Sequence, residues 1–302
     1  MNRKNQSSEK LPVLLMTYLK SDFLDKILLA IKNYHPPTLY IYVNQPKSNT
    51  EKKQVAKVQK ILRSIDFNFR IEFIIPDTHL VVNDSFKSTL DTVFSKEESL
   101  IVLEDDTIPS QAFFSFCQRM INEYVHDESV GCVLGCNLNS VEVSDSYFHS
   151  SFALPFWGWA SWSKVWFKYR SDNYYWLKHQ KLILNRISNE NRIFFRNCFD
   201  GNADGVNSWD IQWSLTLLAN RLKTIVPGVN LIDNKGFVAE GISTAYKNSA
   251  FGQMSVHDLN LESLSIIDSN TFQKTYEDRL AQLVIEINEN LKGQVKNRIL
   301  NS

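Results

Sequence analysis

Three acids stand side by side in the stretch Ser99-Leu100-Ile101-Val102-Leu103-Glu104-Asp105-Asp106-Thr107-Ile108-Pro109. Adjacent carboxylates repel one another, so Glu104, Asp105 and Asp106 need a cation or donor groups to hold their charge. A divalent cation is a natural partner, because hard cations take carboxylate oxygens and also neutralise a diphosphate. The plainer alternative makes Asp105 and Asp106 turn or capping acids ahead of Pro109. What precedes them favours a site. The apolar run from Leu100 to Leu103 has the character of a strand buried on both faces, as in the middle of a parallel sheet. The acids then emerge at the strand's carboxyl end, where open α/β sheets place their ligands.

A second block with chemical use is aromatic, Pro155 to Trp166, "PFWGWASWSKVW". Aromatic faces stack on the apolar faces of sugar rings, and Gly158 lets a backbone approach a ligand closely. Trp162 and Trp166 lie four apart and fit helix core. Trp157, Gly158 and Trp159 remain for a ligand.

The elements that must hold these blocks follow from periodicity. Val13 to Met16 is a first strand, and Ser21 or Asp22 caps a helix with Leu24, Ile27, Leu28 and Ile31 on one face. Leu39 to Val43 is a second strand. Ser48, Asn49 or Thr50 caps a helix carrying Val55, Val58, Leu62 and Ile65. Phe69 to Ile75 is a third strand, and Asn83 or Asp84 caps a helix with Phe86, Leu90, Val93 and Phe94 turned inward. The order βαβαβαβ, ending on the acid-tipped strand, means a parallel sheet with right-handed crossovers. A helix from about Gln111 to Tyr124, a strand at Val130 to Leu134, a Ser208-capped helix to Asn220 and a strand at Thr224 to Pro227 follow. Asn234 to Gly252 reads as a loop, and Thr271 to Leu300 as a final helix.

Composition narrows the partners. The chain has 302 residues, with 33 Lys plus Arg against 33 Asp plus Glu, so no net field draws it onto nucleic acid. Four cysteines, Cys117, Cys132, Cys136 and Cys198, form no CxxC pair and fit reduced core thiols. Residues 1–10 are polar, without the apolar segment of a signal peptide, and are expected to be a disordered leader. No apolar run approaches the roughly 20 residues that span a bilayer. A cytoplasmic protein is the expectation.

Three blocks together carry a family resemblance. "LIVLEDDTIPSQAFF" (Leu100 to Phe114), the tryptophan block and "SWDIQW" (Ser208 to Trp213) stand in the order and spacing of GT-A fold nucleotide-sugar glycosyltransferases. The chain resembles bacterial surface-polysaccharide transferases and the inverting N-acetylglucosaminyltransferase I group, from about Leu11 to Tyr246. The resemblance implies an α/β, Rossmann-like GT-A domain over 11–270, its mostly parallel sheet flanked by helices. Residues 11–110 form the nucleotide-binding half, 111–270 the aromatic-rich acceptor half, and 271–302 a C-terminal helix.

It also implies roles. Asp106 binds a divalent metal, Mn2+ or Mg2+, while Glu104 and Asp105 touch sugar, ribose or metal-bound water. Thr17, Tyr18, Asn44, Asn83 and Lys87 line the nucleotide site, although Lys87 also fits an exposed helix lysine. Asp210 acts as general base toward the acceptor hydroxyl; the alternative is a helix-start acid favoured by the dipole. Trp157, Gly158 and Trp159 face the acceptor, a surface glycan or lipid-linked glycan, and UDP is the expected carrier. Related sequences often place a histidine after the late Gly-Phe segment. Here Ser243-Thr244-Ala245-Tyr246 stands there, with Glu240 before it and His257 further on as a substitute. Lys292, Lys296 and Arg298, interrupted by Glu286 and Glu289, raise peripheral contact with the inner face of the cell membrane. The competing functions are a non-catalytic nucleotide-sugar or glycan-binding module on the same fold, and a magnesium phosphatase. The phosphatase lacks support, since no aspartate follows Asp105 at a spacing of two.

Overall fold

The computed structural model describes residues 10–139, 141–154, 156–206, 208–237, 250–267 and 269–300, without side-chain detail at 205, 206, 237, 250, 269, 271 and 287–300. The first half alternates strand and helix: β1 (Val13–Thr17), α1 (Leu24–Tyr34), β2 (Thr38–Val43), α2 (Lys52–Arg63), β3 (Arg70–Ile74), α3 (Val82–Phe94) and β4 (Ser99–Glu104). All five residues of β1 and the core of β4 are buried, as continuous apolar runs require inside a sheet covered on both faces. The second half adds β5 (Thr107–Pro109), α4 (Gln111–Glu123), β6 (Val130–Leu134), β7 (Ser146–Ser150), β8 (Trp159–Trp162), α5 (Ser163–Trp166), α6 (Tyr174–Leu184), α7 (Arg192–Gly201), α8 (Trp209–Ala219), β9 (Lys223–Pro227), β10 (Ile232–Asn234), β11 (Ser265–Ile266) and α9 (Ser269–Leu300).

The architecture is α/β, a mostly parallel central sheet flanked by helices. One nine-stranded sheet runs β11-β7-β9-β6-β8-β4-β1-β2-β3. The four strands β3, β2, β1 and β4 are parallel, as expected from their alternation with helices. β8 then enters antiparallel between β4 and β6. Beyond it β9 runs parallel to β6, and β7 antiparallel to β9. Neither β7 nor β8 is expected from periodicity, because every residue of β8 is buried and no polar alternation marks it.

A second, two-stranded sheet matters more for the site. β10 pairs antiparallel with β5, so that Asn234 lies opposite Thr107. The chain that follows the acids is thereby clamped by a strand more than a hundred residues away. The Lys235 N–H also donates to the Asp106 carbonyl at 2.8 Å.

Several caps differ from expectation. α1 and α2 begin at Phe23 and Glu51, with no side-chain cap bond. α3 is capped at Val81, which leaves Asn83 and Asp84 inside its first turn. Ser110 does cap α4, its hydroxyl accepting from the Phe113 N–H at 3.2 Å. Cys117, Cys132 and Cys136 are buried free thiols, and Cys198 is half-buried. Among the described residues no helix is long and apolar enough to cross a membrane.

Candidate functional site

Parallel pairing of β1 with β4 sets Met16 opposite Glu104, so the loop after β1 lies beside the acids. Asp105 turns its carboxylate into that loop. Its Oδ2 accepts from the Tyr18 N–H at 2.9 Å and the Lys20 N–H at 3.2 Å. Asp106 Oδ2 meets the Lys20 ammonium directly. Thr107 closes the turn from below: its hydroxyl accepts from the Glu104 N–H and donates to the Glu104 carbonyl. Asp105 faces β1 while Asp106 faces Lys20, so the carboxylates diverge. Accordingly, no group of three His, Cys, Asp or Glu side chains converges as a metal cage among the described residues.

The electrostatics record an excess of negative charge. Burial, then Asp106 and further Asp105 and Asp210, push Glu104 up to about 8, against an opposing pull from Lys20. Burial and Asp106 push Asp105 up to about 7, with Lys20 and the two backbone N–H groups acting the other way. Burial on its own lowers an ammonium, but Asp106, Asp105 and Glu104 outweigh it and hold Lys20 above the usual lysine range. One lysine therefore answers three acids.

The donor chemistry of Asp106, rather than a preformed cage, suits a divalent cation. The donors are hard carboxylate oxygens, and the Asp106 side chain keeps 14% of its surface exposed. The ammonium of Lys20 already stands on Asp106 Oδ2 as a cationic stand-in.

Around this centre the expected nucleotide residues divide. Tyr18 lies at the cleft, its hydroxyl donating to Glu51, while burial and that bond push it up to about 12. Its ring is 5.4 Å from His79, whose Nδ1 sits 2.8 Å from the Gln45 carbonyl oxygen. Sequence reasoning passed over His79, which carries no local signal on its loop. Thr17, expected at the nucleotide, is buried and donates its hydroxyl to the Tyr42 carbonyl at 2.7 Å. Asn44 is likewise held by the protein's own loops. Buried at the tip of β2, it donates to the Leu80 carbonyl and accepts from the Gln45 and Leu80 N–H groups, holding two loops together. Lys87 pairs with Asp91 one turn on, so it is committed to an ion pair on its own helix. Asn83 is half-buried in the first turn of α3.

The acceptor side is anchored by aromatic packing. Trp209 stacks on Phe86 at 4.0 Å and 8°, tying α8 to α3. Trp159 lies 5.8 Å from Trp213 and keeps only 1% of its surface exposed. This ring, expected at the acceptor, is packed in the core. Gly158 is closely packed too. At φ +85°, a Cβ there would meet Ile232 Cδ1 at 2.8 Å, so the close approach is to β10 and not to a ligand. Trp157, in a left-handed conformation, is half-buried beside Phe156. Trp162 and Trp166 are core, as their spacing suggests.

Asp210 stands in the first turn of α8. Its Oδ1 accepts from the Ile211 N–H at 2.8 Å and from the Ser208 hydroxyl, which bonds this carboxylate in place of capping the helix. Burial raises the Asp210 carboxyl above the usual carboxylate range, against these hydrogen bonds. Its charge adds the last and smallest of the upward pushes on Glu104.

His257 does not approach the acids. Its Nε2 lies 2.8 Å from Glu142, and its N–H donates to the Asn230 carbonyl. Glu240 and residues 243–246 lie outside the described residues, as do the side chains of Glu289, Lys292, Lys296 and Arg298. Lys20 and Gly236, like His79, are site residues that motif reasoning missed. Both could have been sought by asking which cation answers three acids and which backbone closes over them.

No family model matches the chain, and neither does any curated protein. Among solved structures, 4-diphosphocytidyl-2C-methyl-D-erythritol synthase from Anaerococcus prevotii is similar at 12% identity, covering 64% of this chain and 86% of its own, with a TM-score of 0.37.

Proposed function

We propose that the protein is a metal-dependent, inverting glycosyltransferase that moves a sugar from a nucleotide diphosphate, UDP by preference, to a hydroxyl of a growing glycan. One observation carries this reading: Trp209, beside Asp210 in the first turn of α8, lies 6.3 Å from Trp159 of β8, the strand paired with the acid-tipped β4. Residues 11–110 serve as the donor half, 111–270 as the acceptor half, and 271–302 as an appended helix. The acceptor is a surface glycan or lipid-linked glycan, which places the enzyme in the cytoplasm at the inner membrane face.

In this mechanism Asp106 would hold Mn2+ or Mg2+, which when bound would neutralise the leaving diphosphate, with Glu104 toward the sugar, ribose or metal-bound water. Asp105 keeps the β1 loop in place through the Tyr18 and Lys20 N–H groups. Tyr18 and His79 border the nucleotide end of the cleft. Asp210 accepts the proton of the acceptor hydroxyl as that oxygen attacks the anomeric carbon from the face opposite the leaving group. Its raised proton affinity suits this task, because a base needs affinity for the proton it takes.

The test is release of nucleotide from a panel of sugar nucleotides with Mn2+, for wild type and Asp210→Asn. Acceptor-stimulated release in the wild type, lost in the variant, is the expected result. Binding without turnover across donors and acceptors would make the protein a non-catalytic module. Free phosphate released from small phosphoesters would make it a phosphatase.

A further inference from the structure

We propose that Lys20 is an exchangeable counter-ion: it occupies Asp106 until a divalent cation arrives, then passes to the diphosphate that accompanies that cation. This rests on the proposed donor site and adds the order and coupling of its ligands.

The backbone around Lys20 is fixed while its side chain is not. The Tyr18 and Lys20 N–H groups are both held on Asp105 Oδ2, at 2.9 and 3.2 Å, which anchors the loop to β4. From that anchor a flexible four-carbon stem carries the ammonium to Asp106 Oδ2, and 25% of the side chain remains exposed. An ammonium on this stem can swing without moving the loop.

Asp106 Oδ2 cannot serve both cations comfortably. A Cβ built on Gly236 would lie 2.6 Å from this oxygen, so the backbone of the β10 extension closes one side of it. Lys20 covers another. A metal ion needs the lone pairs that the ammonium now uses, and two cations on one oxygen repel each other. Entry of the metal therefore displaces Lys20. A nucleoside diphosphate brought in with the metal supplies the anionic oxygens to which a tethered ammonium moves.

Lys20 thus opposes the bare metal and favours the metal with a diphosphate. That is a coupling free energy between two ligands, and such couplings commonly amount to about 5- to 150-fold in affinity. The same residue excludes a futile metal-only state and makes the two ligands bind together.

The full chain tests this with Mn2+ and UDP as probes, by electron paramagnetic resonance titration of free Mn2+. In Lys20→Met, Mn2+ alone binds at least about fivefold tighter than in wild type, and UDP enhances its affinity at least about fivefold less. Amine acylation of wild-type Lys20, read by mass spectrometry, needs no variant to fold. Mn2+ alone increases modification of Lys20, and Mn2+ with UDP suppresses it. Unchanged Mn2+ affinity in Lys20→Met, or acylation indifferent to Mn2+, overturns the proposal. Neither readout requires glycosyl transfer, so an enzyme inert toward every sugar nucleotide sinks the proposed activity and leaves this exchange standing on its own result.

Discussion

Gly236 lies against the carboxylate of Asp106, so close that a single added methyl would sit 2.6 Å from Oδ2 and 2.9 Å from Asn234 Oδ1. The contact is held from both sides. The Gly236 N–H donates to Asn234 Oδ1 at 2.7 Å, and the Lys235 N–H donates to the Asp106 carbonyl at 2.8 Å. The absence of a side chain at 236 is thus a property of the acid site, not of a surface turn. Gly236→Ala must push the Asp106 carboxylate aside. Because the residue borders a cleft, the stability cost falls near the lower end of the about 1–3 kcal/mol typical of overpacking. The functional cost is larger: Mn2+-dependent nucleotide release drops at least about tenfold, since small displacements of a catalytic group are expensive. Melting temperature and Mn2+ titration on the same sample separate the two effects.

Asp210 yields a pH signature. A base works deprotonated, and burial has raised this carboxyl above the usual carboxylate range. The acid limb of kcat/KM therefore lies above the pH at which an ordinary aspartate titrates. The Ser208 hydroxyl donates to the same carboxylate and favours its charged form. Ser208→Ala removes that donor, raises the carboxyl further and moves the limb to higher pH, while activity on the plateau changes little. Asp210→Asn abolishes the limb and lowers kcat by about 10^2- to 10^4-fold. A limb that stays put in Ser208→Ala would assign the titration to another group.

How much of this was legible in the sequence depends on which interactions are local. The run Leu100 to Leu103 and its acids, the βαβ alternation up to β4 and the α8 start at Trp209 are periodic signals within a few residues, and they stand as expected. The burial of Trp159 was not legible, because an aromatic residue beside a glycine looks the same in a core strand as on a sugar platform. Only pairing of β8 with both β4 and β6 shows that it is enclosed. The partners of Asn44 and Thr17 were hidden for a related reason. A polar residue at a strand tip serves a ligand or the neighbouring loop, and the loops that claim these two come from elsewhere in the chain. Lys20 and Gly236 were invisible because their significance is a contact with Asp106 across about 85 and 130 residues of sequence, beyond any local pattern.

Phe86 and Trp209 join α3 to α8. Their rings stack at 4.0 Å and 8°, next to Asp210 in the first turn of α8. Trp209→Ala opens a cavity there and costs about 3–5 kcal/mol, as truncation of a buried large aromatic does. Trp209→Phe keeps a stacking partner and most of the stability. If the joint also positions the base, Trp209→Phe shows a lower kcat with an unchanged KM for the donor. Urea denaturation gives the first quantity, and steady-state kinetics the second.

Glu104 offers a prediction with opposite sign from most substitutions. Its carboxyl is pushed up from the ordinary 4.5 to about 8, chiefly by burial and then by Asp106. A carboxyl whose folded pKa exceeds its unfolded one contributes stability fully present below the unfolded pKa. That contribution is lost as pH rises through the folded value. Metal-free wild type should accordingly lose stability between about pH 4.5 and pH 8, as the folded protein is forced to give up a proton it holds tightly. Glu104→Gln has nearly the same shape and no proton to lose. It is more stable than wild type above pH 8 by at least about 1 kcal/mol, the lower range for a poorly compensated buried polar group. Near pH 5, where wild-type Glu104 is protonated in the folded protein, the two converge. Saturating Mn2+ also narrows the gap at high pH, because a cation bound to the neighbouring Asp106 relieves the repulsion that the amide relieves by substitution. Chemical denaturation of both proteins at pH 5 and pH 8.5, with and without Mn2+, measures all four corners. A variant equally destabilised at both pH values would show that the carboxyl is favoured at its site rather than strained by its charge.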